Sequence, residues 1–478
     1  MNYRMILYIN GAVLQIVGLL MLIPTAAGVY FHDGGLWPLA GVAAASIILG
    51  TLIRLKKPKD TKIRAREGFV ITALVWVILS LVGALPFILS GDISDFTEAV
   101  FETASGFTTT GASILTDVEA MSKSLLLWRS FTHWLGGMGV LVFLIVFLPS
   151  DADEMNLMKA ESPGPSVDKL VPKARSTAFF LYAIYTTMTV TMITILFVLG
   201  MPKFDAICIS VGTAGTGGFG VRADSCAGYS PACQIVITVF MVLFGINFKV
   251  YFLMVMKKWK DILKCEEVFW YLVIYGASVA LVTFGIVNDL GSLAVAIRHS
   301  SFQVASVMTT SGFATLDFNL WNTMPKSVMV AVMFCGACAG STGGGMKVSR
   351  FVIWVKQVRR EINKFVHPRS VNRVRLDGKP VEEDVIRSTN VYMMAYLFVF
   401  ISSLLVISLD GFDLTSSFTA VTATINNIGP GLGVVGPTGS FHDFSVLSKW
   451  VFIFDMIAGR LELFPMLVLI SPGTWKKK

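Results

Sequence analysis

Charge is what this chain has least of. Only 15% of its 478 residues are Asp, Glu, Lys or Arg, and it has 5 His and 6 Cys. The His residues have no metal-ligand spacing. No paired carboxylates and no nucleophile–base set fall inside an apolar stretch, so acid–base, covalent and metal-assisted catalysis lack their residues. Cys335 and Cys338 form a CxxC, but inside a Gly/Ala-rich apolar stretch where small residues serve close helix packing. Cys226 and Cys233 fall in one outside-facing loop and are open to pairing, although nothing in the sequence fixes their geometry. Two nucleotide-like motifs fail on context. GLGVVG at 431–436 follows no strand, and in GSTGGGMK at 340–347 Met346 separates the last Gly from Lys347.

What fills the space is apolar. Hydrophobic residues make up 54% of the chain, and the mean hydropathy is +0.69. A membrane span needs roughly 20 mostly apolar residues. Ten segments qualify, at 6–23, 36–53, 69–89, 125–148, 179–199, 235–256, 268–287, 328–355, 391–409 and 446–470. The first is too long for a cleaved signal and has no small-residue cleavage site, so it stays as a helix. The net charge of +8 is concentrated at 54–66, 257–264, 356–387 and 476–478, while acidic residues gather at 92–102, Asp117 and Glu119. Lys/Arg-rich loops stay in the cytoplasm. Both termini are therefore expected inside, and orientation accounts for the positive charge. The partner it implies is membrane lipid, not nucleic acid.

Four short polar segments interrupt this pattern: FTTTGAS at 107–113, AGTGGFG at 214–220, MTTSGFA at 308–314 and TINNIGPGL at 424–432. Each follows a short amphipathic run and precedes another apolar segment. Non-helical backbone at membrane depth survives only where protein buries it or where it lines a watery path. The spacing predicts an all-α membrane protein with four helix–pore-loop–helix units around a pseudo-four-fold axis. A helix pair at 1–66 precedes units at 67–150, 177–258, 265–357 and 388–474. Pore half-helices are expected to begin near Asp95, Asp205, Arg298 and Leu414, with linkers at 150–176 and 358–388. Glycine tolerates positive φ, which lets successive carbonyls turn toward one axis. The candidate cation ligands are therefore Thr109, Thr110 and Gly111; Thr216, Gly217 and Gly218; Thr310, Ser311 and Gly312; and Asn427, Ile428 and Gly429. Rings of carbonyls replace the hydration shell of a monovalent cation. Four unlike loops predict looser K⁺/Na⁺ discrimination than four identical ones.

Residues 336–345 (GACAGSTGGG) carry too much Gly and polar character for a plain span. The expectation is a broken helix below the loops, at the depth of a gate, with Gly336, Gly340, Ser341, Thr342, Gly343, Gly344 and Gly345 as its flexible backbone. Arg460 is a charge in an apolar segment, and such residues face an interior or a pathway. It can pair with Glu462, bond carbonyls of the broken segment, or act as an electrostatic barrier. Asp455 is either its partner or an interior residue. Lys249 lies near a segment end, within reach of the interface by snorkelling.

With these residues in place, the chain resembles the membrane subunit of bacterial Trk-type potassium uptake systems, in the Trk/Ktr/HKT superfamily. The resemblance rests on REGF (66–69), GALPF (83–87), SGFTTTGA (105–112), GGMG (136–139), GGF (217–219), CAGSTGGGMK (338–347), NNIGPGLG (426–433) and GRLE (459–462). It implies a homodimer in the bacterial inner membrane with one K⁺-selective pore per subunit. It also implies a cytoplasmic nucleotide-binding regulatory subunit, and gating roles for 336–345 and Arg460. K⁺ is then the transported ion, and no organic cofactor is expected. A coupled symporter moving K⁺ with H⁺ or Na⁺ is the alternative mode.

Overall fold

The computed structural model describes residues 1–60, 63–139, 174–369 and 372–476. Residues 140–148 of the segment at 125–148, most of the linker at 150–176, and Lys477 and Lys478 lie outside them. The chain opens with α1 (Tyr3–Leu20), α2 (Leu22–Phe31) and α3 (Leu36–Arg54). α1 and α2 form one span, Tyr3–Phe31. Gly11 and Gly50 let α1 and α3 touch backbone to backbone: a Cβ on Gly50 would stand 2.5 Å from the Gly11 oxygen.

The first repeat is α4 (Ala65–Ser90), α5 (Phe96–Phe107) and α6 (Lys123–Gly137); the second is α7 (Ala174–Val198), α8 (Lys203–Gly215), α9 (Pro231–Phe244) and α10 (Phe248–Val255). The third is α11 (Glu266–Leu290), α12 (Leu293–Met308), α13 (Thr323–Met333) and α14 (Val348–Val366). After a two-strand hairpin, β1 (Arg375–Leu376) with β2 (Lys379–Pro380), the fourth repeat follows as α15 (Glu383–Ile407), α16 (Leu414–Ile425), α17 (Val446–Arg460) and α18 (Phe464–Ile470). The half-helices are α5, α8, α12 and α16. Three begin near their expected residues; α12 starts at Leu293, five residues before Arg298.

The inner helix of each repeat packs on the half-helix of the next. α6 meets α8, α9 meets α12, α13 meets α16, and α17 returns to α5. That closes the circle.

Ten continuous spans are not what forms. Among the described residues six helices are long and apolar enough to cross a membrane, and α9 with α10 is a seventh segment bent by 90°. The expected break in the third repeat is present between α13 and α14. Breaks in the second and fourth repeats correct the sequence expectation of unbroken inner helices there. Asn247 accepts from the Lys249 amide at 2.9 Å and so starts α10 afresh after the bend. In the fourth repeat Glu462 and Leu463 take φ of 54° and 69°, and Pro465 opens α18. A membrane-length hydropathy window averages over such one-turn breaks and the few polar residues in them.

Candidate functional site

Each half-helix starts at the outer rim and ends at the centre. Asp95 caps α5 and Asp413 caps α16 through their side chains. The hydrogen bond from Ser416 Oγ, with those from backbone amides, holds the Asp413 carboxyl below its ordinary range. All four half-helices then stop in the same way. The amides of Thr109, Thr216, Thr310 and Asn427 return to Gly106, Thr213, Val307 and Thr424 at 3.0–3.2 Å. The next amides, of Thr110, Gly217, Ser311 and Ile428, reach one residue further back, to Ser105, Gly212, Ser306 and Ala423, at 2.7–2.9 Å. This is a Schellman ending, which needs a left-handed residue and ordinarily uses Gly.

Here that residue is Thr109 (φ 56°), Thr216 (57°), Thr310 (60°) or Asn427 (54°). A left-handed residue with a Cβ costs roughly 1–2 kcal/mol, and such strain collects where function needs a fixed backbone. Two positions on, Gly111, Gly218, Gly312 and Gly429 have φ of 76°, 80°, 76° and 95°, as expected from sequence.

The loops meet edge to edge. A Cβ on Gly111 would stand 2.0 Å from the Gly217 oxygen, and one on Gly218 2.0 Å from the Ser311 oxygen. On Gly312 it would stand 2.5 Å from the Ile428 oxygen, and on Gly429 2.8 Å from the Thr110 oxygen. Each glycine thus abuts the carbonyl that precedes the glycine of the next repeat. The structure brings the four loops that carry the twelve sequence-selected residues together edge to edge. Above them lies a vestibule of about 180 Å³ lined by Gly111, Gly218, Gly312, Gly429, Arg129 and Arg222. Behind the first two loops, Arg129 pairs with Glu102, donates to the Gly220 oxygen at 3.0 Å and lies 3.5 Å over the Phe219 ring. Sequence reading missed this pair because its members belong to different helices, 27 residues apart.

The segment between α13 and α14 lies directly beneath. Thr216 Oγ1 donates to the Thr342 oxygen at 3.0 Å, and the Gly344 amide donates to Thr310 Oγ1 at 2.7 Å. A Cβ on Gly344 would meet Asn427 Cβ at 2.7 Å. The plug therefore touches three of the four loops. Gly336 and Gly345 close its neck, where the Gly336 amide bonds the Met346 oxygen at 2.8 Å. Its other end fits the bend of the second repeat. Cys338 N–H donates to the Gly245 oxygen at 3.0 Å, Phe248 N–H to the Gly340 oxygen at 3.0 Å, and Thr342 Oγ1 to the Phe244 oxygen at 3.2 Å. Two broken helices satisfy each other's backbone, which membrane depth demands. Ser341 Oγ bonds the Cys338 oxygen at 2.7 Å and tightens the turn.

Arg460 donates to the Thr342 oxygen at 2.8 Å and to the Gly136 and Gly137 oxygens at 2.6 Å each. Of the three roles open to it, bonding the broken segment is observed; Glu462 pairs instead with Arg350. Asp455 is buried and accepts from Ser403 at 2.8 Å, as an interior residue. Lys347, passed over in the sequence, sends its ammonium to the Gly343 and Gly344 oxygens. Glu267 accepts from Ala339 N–H at 2.8 Å and Ser349 N–H at 3.0 Å, pinning both sides of the plug to α11. A cavity of about 70 Å³ below the plug is lined by Lys347, Arg460, Glu462 and Trp76. Cys226 and Cys233 are free thiols, so the pairing left open by sequence is not formed.

A multi-pass helical protein whose four half-helices end in loops that close on one another in a ring is a membrane transport protein in class. The sequence profile of the TrkH cation transport proteins matches residues 39–476. The chain is 34% identical over 501 residues to the Trk system potassium uptake protein TrkH of Salmonella typhimurium, covering 100% of both. It is 32% identical to TrkG of Escherichia coli, covering 99% of both. The crystal structure of the potassium transporter TrkH from Vibrio parahaemolyticus superposes with a TM-score of 0.89 at 31% identity, over 100% of both chains. The chain belongs to the TrkH family of cation transport proteins.

Proposed function

We propose that this protein is the K⁺-conducting subunit of a Trk-type uptake system in the bacterial inner membrane, a homodimer with one channel-like pore per subunit. The single observation that carries this reading is the closed ring in which each loop glycine abuts the next loop's carbonyl. The carbonyls of Thr110, Gly217, Ser311 and Ile428 take over the hydration of K⁺ arriving from the vestibule. Hydroxyls of Thr108, Thr110, Thr309 and Ser311 brace two of the loops from behind, at 2.8 Å in each pair. Below, the plug and the cations of Arg460 and Lys347 hold the pathway shut until a cytoplasmic nucleotide-binding subunit shifts it. Inward flow is driven by the membrane potential, roughly 2.3 kcal/mol per charge per 100 mV.

Voltage steps on the purified protein in planar bilayers test the mode of transport. Current reversing at the K⁺ Nernst potential, unmoved by a H⁺ or Na⁺ gradient, is the expected result. A reversal that follows either gradient establishes coupled symport instead.

The regulatory subunit is expected to grip the exposed basic face of α14. Arg359 and Lys364 are exposed there, whereas Arg360 is engaged with Glu383 at 2.9 Å. Replacing Arg359 and Lys364 by Gln should weaken capture of that subunit about tenfold, as loss of rim charges does, with partner-free Rb⁺ flux unchanged. Equal capture by both proteins means that these charges serve orientation alone.

A further inference from the structure

One buried side chain joins two of the four loops without lining the pathway. His133 lies on α6 of the first repeat with no exposed surface. Its Nδ1 is 2.8 Å from the Gly106 oxygen, the same oxygen that receives the Thr109 amide in the first Schellman ending. Its Nε2 is 3.3 Å from the Phe219 amide nitrogen, directly after Gly218 in the second loop. An amide N–H can only donate, so Nε2 is the acceptor and Nδ1 carries the proton that goes to Gly106. The ring is therefore held as one neutral tautomer, and both of its nitrogens are used.

The ring face completes the arrangement. It lies 4.2 Å from the Phe219 ring, centroid to centroid. A Cβ on Gly217 would stand 2.1 Å from the imidazole, so the second loop is pressed flat against it. Gly217 supplies the carbonyl that abuts Gly111. The imidazole thus fixes how far the Gly217 oxygen stands from the first loop. Elsewhere Asn427 Nδ2 bonds Thr110 Oγ1 at 2.9 Å between the fourth and first loops, whereas the second and third are linked through the plug.

We propose that His133 is a positioning residue for ion selectivity, acting as a strut of fixed length between the first and second filter loops. It touches no ion. It sets the separation of the Thr110 and Gly217 carbonyls, and with it the coordination that distinguishes K⁺ from the smaller Na⁺. The proposal rests on the filter reading given above.

The test compares Rb⁺ and Na⁺ flux into liposomes for His133→Leu, which fills the space without hydrogen bonds, and His133→Gln, which keeps one donor and one acceptor. His133→Leu is expected to lower the Rb⁺/Na⁺ ratio on the order of tenfold, the scale of one buried hydrogen bond converted to a ratio, and His133→Gln to restore most of it. A further arm leaves His133 intact. Incorporating the α-hydroxy analogue of phenylalanine at position 219 replaces the amide N–H by an ester oxygen and should also lower the ratio. It serves alone if His133→Leu does not fold. Gly312→Ser is the reference for the filter itself. If it lowers the ratio while the strut variants leave it intact, or if His133→Gln behaves as His133→Leu, the strut is overturned. If Gly312→Ser also leaves the ratio unchanged, the filter reading fails and the strut fails with it.

Discussion

Arg460→Ala protein, reconstituted without a regulatory subunit, should pass Rb⁺ at least about tenfold faster than the unaltered protein, with its Rb⁺/Na⁺ ratio little changed. Arg460 ties the plug at Thr342 to the end of α6 at Gly136 and Gly137 through three bonds of 2.6–2.8 Å. Each hydrogen bond to a charged group is worth roughly 1.5–3 kcal/mol. Losing one of that size shifts a closed–open balance about tenfold or more. In the proposed function the guanidinium is also a positive charge beneath the loops, so removing it lowers an electrostatic barrier to cations. Selectivity, in the proposed function, is set above, by loops that Arg460 does not touch in any of these bonds. Liposome Rb⁺ uptake measures the first quantity and competition with Na⁺ the second. A folded variant with slower uptake, or with altered selectivity at unchanged rate, would remove Arg460 from the gate.

Gly312→Ser should have the opposite signature. At φ 76° a side chain is strained wherever it points, and its Cβ would stand 2.5 Å from the Ile428 oxygen. Carbon and oxygen do not approach that closely, so the fourth loop's carbonyl must move off the axis. K⁺/Na⁺ discrimination is expected to fall at least about tenfold, because selectivity depends on the number and field of the coordinating carbonyls. Gly276→Ala is the matched control. A Cβ there meets nothing within 4 Å, and its flux ratio should equal that of the parent protein. Flux ratios of Rb⁺ against Na⁺ in the same vesicles decide it. Preserved discrimination in folded Gly312→Ser protein would take this glycine out of the filter.

Much of this site could be read from residue types alone. Gly111, Gly218, Gly312 and Gly429 announce positive φ, and four similar segments between apolar stretches announce a ring. The Gly-rich run at 336–345 announced its own break. What stayed hidden follows from two physical causes. Thr is a poor left-handed residue, so nothing in TTTG, GTGG or TTSG reveals that Thr109, Thr216 and Thr310 carry the Schellman turn. Their conformation is imposed by packing around the ring. The second cause is distance along the chain. Arg350 and Glu462 form a buried pair across 112 residues, and Glu267 reaches Ala339 across 72. Neither separation has a local signature. The bends at 245–247 and 461–463 were missed because a membrane-length hydropathy window averages a few polar residues into an apolar stretch.

The mutual seating of the second-repeat bend and the third-repeat plug also bears on how the protein is made. Phe244 finds its hydrogen-bond partner, Thr342, 98 residues further along the chain. At a synthesis rate of about 5–20 residues per second, that partner emerges roughly 5–20 s later. Until then, the carbonyls at the bend depend on water or on a continuous helix that must later break. The second repeat therefore cannot reach its final shape as an autonomous insertion unit, and the ring matures only once the third has joined it.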